Sequence, residues 1–244
     1  TEVISHMLTI KTDLITQIGH DLKTPLTSLI ALLPYINKKV KDPDLQELLN
    51  VVTLDAKRMN QIISSILTLS SIDIKNPDEL VGQSRVADIV DQVISGEHLV
   101  ICQRDLKIVN LLSPSFVLRM NDSHCDLLFS NLIGNAVKYS RQNGIITIRS
   151  EIINNSLFLV VQDNGQGIAS EHLPRIFEEF FKVDMSRHDR DSQGLGLALV
   201  QRVVKSYGGT ITAESAGIDR GTTIRVCFPA DMVISSSLSA EKSP

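Results

Sequence analysis

Apolar residues recur at steps of three and four along the first part of the chain: Leu14, Ile18, Leu22, Pro25, Leu29, Leu33 and Ile36. That spacing places them on one stripe of an α-helix. A second set, Leu45, Leu48, Leu49, Val52, Ala56, Met59, Ile63 and Leu67, repeats the pattern. Between the two runs lies NKKVKDPD, whose Pro43 and flanking acids suit a turn and a new helix start. The pattern predicts a helical hairpin. A lone hairpin buries little, and two of them can pair into a four-helix bundle. A homodimer through the hairpin is therefore expected.

IDIKNPDELVG breaks the helical period and reads as a linker. Beyond it a helix is predicted over Ser84–Ser95, with short strands at Leu99–Cys102 and Leu118–Met120. A further helix runs from Asp122 to Tyr139. Two strands, GIITIRSE and SLFLVVQD, follow and are joined at NNS. After DNGQGI comes a short helix around Pro174–Phe181, then the polar run KVDMSRHDRDSQ. The helix GLGLALVQRVVKSYGG is closed by Gly208 and Gly209. The strands TITAES and TTIRVCFP finish the unit. Helices followed by paired strands predict an α+β sandwich, one helical layer on one sheet. The expected division is residues 1–76, residues 77–231 and a Ser-rich, disordered tail at 232–244.

Composition narrows the function classes. Of 244 residues, 43% are hydrophobic and 21% charged, as in an ordinary globular protein. With 4% aromatic residues and no Trp, the core must rest on Leu, Ile and Val. The formal net charge of −4 provides no broad basic surface, so no nucleic-acid partner is expected. Cys102, Cys125 and Cys227 are odd in number and scattered, which favours a reducing compartment and disfavours a disulfide framework or a zinc site. The longest apolar candidate, Leu26–Asn37, is interrupted by Pro34 and falls short of the about 18 residues of a membrane span. The first residue is Thr and not Met, as expected of a fragment, so a receptor or membrane part can lie upstream.

Several polar clusters carry chemistry. Asn131 and Asn135 share one helix face, with Lys138 three residues on. Two amide oxygens and an ammonium suit Mg²⁺ and phosphate, although a solvated helix face would look the same. Asp163, Gly165 and Gly167 form a DxGxG at a strand end. A carboxylate there can accept from an exocyclic amine, and glycines allow close backbone approach; a plain Asn-Gly turn is the simpler alternative. SQGLGLALV opens a helix, whose free N–H groups suit phosphate. The polar run before it suits a flap and carries Arg187, His188 and Arg190. In QIGHDLKTPLTSL, His20 lies about half a turn from the centre of the apolar stripe, which points it away from the hairpin seam.

The order of these motifs (Asn-x-x-x-Asn-x-x-Lys, DxGxG, Phe-x-x-Phe, GLGL, then GTT before the last strand) resembles the ATP-binding domain of sensor histidine kinases. QIGHDLKTPLTSL resembles their phosphoacceptor motif. The resemblance extends from about Thr1 to Pro229 and implies a dimerisation and phosphotransfer hairpin followed by a Bergerat-fold ATP domain.

It further implies that His20 takes the γ-phosphate of ATP and that Asp21 accepts the proton of the other ring nitrogen. Thr24 would orient water during dephosphorylation of the partner. Asn135 would ligate Mg²⁺ with Asn131 beside it, Lys138 would meet phosphate and Tyr139 would line the pocket. Asp163 would read the adenine amine, with Gly165 and Gly167 passing near the base. Gly194, Leu195 and Gly196 would serve the phosphates and the flap, together with Arg187. Thr222 would sit at the adenine end. The implied partner is a response-regulator receiver domain. The implied location is cytoplasmic, in a parent protein that can be membrane-anchored.

Two positions depart from the family pattern. Ser192 stands where GxGLG usually begins, and Gly19 precedes the histidine where Ser is usual. Glycine weakens a helix, so local looseness beside His20 is expected. The alternative from another class is a catalytically silent ATP-binding dimerisation module. A clamp ATPase of the gyrase or mismatch-repair kind would lack the histidine-bearing hairpin.

Overall fold

The structure is a computed structural model and describes residues 2–72, 82–183 and 194–235. The chain divides into two compact units, the N-terminal helices and the α/β part that follows.

In the first unit α1 (Glu2–Lys39) and α2 (Pro43–Ser71) pack antiparallel. Asp42 caps α2, its carboxylate accepting from Asp44 N at 2.9 Å, and Pro43 occupies the first helical turn, where no N–H is needed. The polar turn thus ends one helix and starts the next, as its composition predicts. Near it Asn37 Nδ2 donates to Asn50 Oδ1 at 2.7 Å. The seam consists of Leu26, Leu33 and Ala56, with Ile30, Leu49 and Ile63 packed against them.

This seam is not the predicted stripe. Leu14, Ile18, Leu22, Leu29 and Ile36 remain about half exposed, whereas Leu33 is 8% exposed. At about 100° per residue, the Gly19–Leu26–Ile30–Leu33 seam lies roughly a quarter-turn from the stripe that includes Ile18 and Leu22. Both stripes have the helical period, and periodicity alone cannot say which one meets the sister helix. On α2, Leu45, Leu48, Val52 and Met59 are likewise exposed. In an antiparallel pair the two exposed stripes fall on the same side of the hairpin.

The second unit runs β1 (Ser84–Arg85), α3 (Val86–Gly96), α4 (His98–Gln103), β2 (Lys107–Asn110), β3 (Val117–Leu118), α5 (Asp122–Tyr139), β4 (Ile145–Ile153), β5 (Ser156–Asp163), α6 (Gly196–Ser206), β6 (Thr210–Glu214), β7 (Thr222–Pro229) and β8 (Val233–Ser235). A five-stranded sheet has the order β2-β4-β5-β7-β6, and a three-stranded one the order β1-β3-β8. Among the described residues only β2 and β4 pair in parallel. Ile153 pairs with Ser156, and Asn154 and Asn155 make the turn at φ 49° and 61°. Such left-handed pairs match the twist of a two-residue hairpin.

Period two decides which side of the large sheet is buried. Ile146 and Ile148 of β4, Leu157, Leu159 and Val161 of β5, and Ile224, Val226 and Phe228 of β7 are all buried. Against them lie Leu128, Phe129, Leu132 and Ile133 of α5, Val86 and Val90 of α3, and Val200, Val203 and Val204 of α6. This is the expected single helical layer on one sheet.

Four local expectations are corrected. Leu99–Cys102 lies within helix α4 rather than a strand, and β2 lies further on; a run of four apolar residues fits either state. The strand expected at Leu118–Met120 covers Val117–Leu118. The helix expected at Pro174–Phe181 reduces to a 3₁₀ turn at Leu173–Arg175: Arg175 N donates to His172 O and Glu178 N to Arg175 O, three residues back, and Phe180 at φ 64° is outside helical geometry. Finally, Met232 is buried and Val233–Ser235 pair with β3, so the second unit extends beyond residue 231. Residues 236–244 of the expected tail, like most of the expected linker, lie outside the described residues.

Candidate functional site

Asp163 ends β5. Its strand partners in the same row are Ile146 and Thr222, so alternation turns its side chain to the helical side of the sheet. Oδ1 accepts from Gly165 N at 2.8 Å and Thr222 N at 3.3 Å. Burial pushes its carboxyl above the ordinary aspartate value, and these two backbone bonds oppose that shift. Thr222 therefore meets Asp163 through its backbone N–H.

The glycines beside Asp163 are required by contact with other backbone. A Cβ on Gly165 would stand against the carbonyl of Tyr139, one on Gly167 against Gly217 O, and one on Gly221 against Asp163 O. Gln166 N donates to Tyr139 O at 3.0 Å, so the loop is tied to the end of α5. Ser215 makes a second tie, accepting from Ile168 N at 3.0 Å and donating to Gly221 O at 2.7 Å.

α5 supplies the opposite wall. Asn121 caps it by accepting from His124 N at 2.8 Å. Asn131, Asn135 and Lys138 are half-buried, and the Lys138 ammonium lies 5.0 Å from the centre of the Tyr139 ring. Asn131 Nδ2 donates to Leu127 O at 2.7 Å. Its Oδ1 is where a Cβ on Gly196 would fall, 2.4 Å away. Gly196 thus leaves room for the Asn131 amide at the start of α6. Arg104 closes the other end of α5, donating through Nη1 to Val137 O at 3.3 Å, Lys138 O at 2.8 Å and Ser140 O at 3.2 Å. Sequence reasoning missed Arg104 and Ser215. A lone Arg and a lone Ser have no pattern that announces a tie to distant backbone.

Gly194 adopts φ 69° and its carbonyl accepts from Phe180 N at 2.8 Å. Leu195 is 1% exposed and anchors the start of α6 in the core, so its side chain is not available to a ligand. Arg187, Ser192 and Gln193 lie outside the described residues. The structure therefore brings Asn131, Asn135, Lys138, Tyr139, Asp163, Gly165, Gly167, Gly196 and Thr222 around the junction of β5, α5 and α6.

On α1, His20 is exposed and lines a shallow hollow with Lys23, Thr24, Thr27 and Ser28. Thr24 Oγ1 donates to His20 O at 3.1 Å. Asp21 accepts from Gln17 Nε2, with both oxygens at 3.4 Å. Gly19 is buried, and Leu67 of α2 lies over it.

The donor set fits magnesium in part. Among the described residues no three His, Cys, Asp or Glu side chains converge on a metal position. Asn135 provides a hard amide oxygen, and a Mg²⁺ with one or two protein ligands completes its shell from phosphate and water.

Two family models match the chain. "His Kinase A (phospho-acceptor) domain" matches residues 10–74, and "Histidine kinase-, DNA gyrase B-, and HSP90-like ATPase" matches residues 120–232. The chain belongs to the histidine kinase family. The signal transduction histidine-protein kinase ArlS of Staphylococcus aureus is 29% identical over 86% of this chain. The chain spans 47% of the length of that relative. Among solved structures, full-length ShkA in complex with AMPPNP superposes with TM-score 0.72 at 18% identity, over 89% of this chain and 45% of that one. Acinetobacter baumannii AdeS gives TM-score 0.59 at 24% identity, over 87% and 98% of the two chains. These likenesses establish the kinase-core fold, a helical hairpin followed by an ATPase-type α/β unit. No helix among the described residues is long and apolar enough to cross a membrane.

Proposed function

We propose that the chain phosphorylates its own His20 from ATP and passes the phosphoryl group to an aspartate of a response-regulator receiver. The observation that carries this reading is the presence in one chain of an exposed His20 on a phospho-acceptor hairpin and an ATPase-type unit whose Asp163 keeps Oδ2 for a ligand donor. A ring nitrogen of His20 attacks the γ-phosphorus. The N–P bond forms, the bond to the bridging oxygen breaks and ADP leaves. The proton on the other ring nitrogen passes to Asp21, which keeps the attacking nitrogen's lone pair free. Thr24, one turn on, orients water when the phosphorylated receiver is dephosphorylated, water attacking the phosphorus and the aspartate carboxylate leaving.

In the second unit Asp163 Oδ2 accepts from the adenine amine. Gly165 and Gly167 shape the base end with Thr222, and Tyr139 lines it. Lys138 and the N–H groups at Gly194–Gly196 face phosphate. Asn135, with Asn131 beside it, would hold Mg²⁺, which when bound offsets phosphate charge. The AMPPNP in the ShkA relative supports nucleotide binding by this kind of unit.

The half-exposed apolar stripes of α1 and α2 share one side of the hairpin, and a second copy covers them. About nine half-buried aliphatic side chains, each gaining about 1 kcal/mol, supply roughly 10 kcal/mol as an upper bound. The hollow beside His20 is the surface a receiver domain reaches. Incubation with γ-labelled ATP and Mg²⁺ tests the reading: acid-labile, base-stable label should appear and be lost in His20→Gln. Label persisting in that variant excludes His20 as acceptor.

A further inference from the structure

Gly19 directly precedes His20 and is buried in the hairpin. A Cβ built on it would lie 2.4 Å from Leu67 Cδ2, 2.7 Å from Cγ and 3.0 Å from Cδ1. Gly19 does not have a positive φ, so its backbone does not demand glycine. Glycine is also a poor residue for a helix interior. Space for Leu67 is what remains to explain it.

The next buried apolar residue of α1 is Leu26, about two turns further on. Close to the histidine, the rotation of α1 against α2 is therefore set largely at Gly19. His20 is about 100° round the helix from Gly19. A rotation of about 20° would carry a ring roughly 7 Å from the helix axis through about 2.5 Å. Misplacement of even about 1 Å at a reacting centre can cost about a hundredfold in rate.

We propose that Leu67, seated in the notch at Gly19, is the positioning contact that fixes the presentation of His20 for phosphoryl transfer. The proposal rests on the reading of His20 as the phosphoacceptor. Leu67 lies four residues before α2 ends at Ser71, where the chain leaves for the ATPase-type unit. The same contact therefore couples the exit end of α2 to the histidine.

The test uses the full chain as wild type, Gly19→Ala, Leu67→Ala and the double variant. It measures the rate of His20 labelling at saturating ATP, the affinity for ADP, and helix melting by circular dichroism. Gly19→Ala should lower the labelling rate about tenfold with ADP affinity unchanged. Leu67→Ala should also slow labelling, because the notch is left empty. The double variant, in which the new methyl fills the trimmed space, should recover to within about threefold of wild type. Gly19→Ala melting higher with an unchanged rate, as helix propensity alone predicts, overturns the proposal, and so does a double variant whose losses multiply. Should Gly19→Ala alone not fold, the double variant labelling faster than Leu67→Ala supports the notch, and labelling no faster overturns it. A wild type that does not label at His20 refutes the kinase reading instead.

Discussion

Replacing Asp163 by Asn keeps the shape of the side chain and changes what it offers a nucleotide. Gly165 N and Thr222 N both point at Oδ1, at 2.8 and 3.3 Å. The amide oxygen of Asn must take that position, since an NH₂ there would face two donors. The NH₂ then replaces Oδ2 and faces the adenine amine, donor against donor. A hydrogen bond to a charged group contributes about 1.5–3 kcal/mol, so ATP affinity should fall about 10- to 150-fold. Stability should not fall with it. The folded carboxyl binds its proton more tightly than the unfolded one, because burial outweighs the two backbone bonds. The cost of keeping it charged is present above the raised folded value and is relieved as pH falls through it. At neutral pH Asp163→Asn should thus melt at or above the wild-type temperature, and the difference should close on acidification. Calorimetric titration with ATP and with inosine triphosphate, which lacks the amine, is the assay. The wild type should prefer ATP and the variant should not. A variant binding ATP within threefold of wild type, or retaining the preference, refutes the adenine-reading role.

Two further outcomes follow from other parts of the structure. Leu29→Asp places a charge on a side chain that is 52% exposed in the single hairpin, so the chain should stay helical and light scattering should report a monomer; a persistent dimer would locate the interface elsewhere. Arg104→Met removes three bonds to the last carbonyls of α5 and should cost about 2 kcal/mol in urea unfolding of the α/β unit, with weaker nucleotide binding because Lys138 and Tyr139 lie in that turn; unchanged unfolding and affinity would show that the turn holds itself.

The elements carrying the candidate chemistry were legible because each had a strong local reason to form. α5 spans the predicted Asp122–Tyr139, and β4 and β5 fall where alternation and the Asn-Asn turn place them. The short elements were not. α4 and β2 lie in a stretch too short for a period to show, and the two-residue strands β1 and β3 exist only because β3 pairs with both β1 and β8. The residues that hold the site together were equally hidden. Ser215 acts across 47 residues on Ile168 and Arg104 across 34 on Lys138, and neither lies in a local motif.

Periodicity and alternation by themselves determined a hairpin bearing His20 and an α+β unit, while the ATPase type of that unit and the candidate roles of its polar residues came from the resemblance of its motif order. These follow from local spacing, which a linear sequence displays. Which of two apolar stripes closes the hairpin was settled only by tertiary packing. So was the seating of Leu67 over position 19. A helix with a wide apolar arc has the same period in every part of that arc. The choice depends on the side chains of α2 that face it, above all on Leu67 meeting a residue with no side chain to displace.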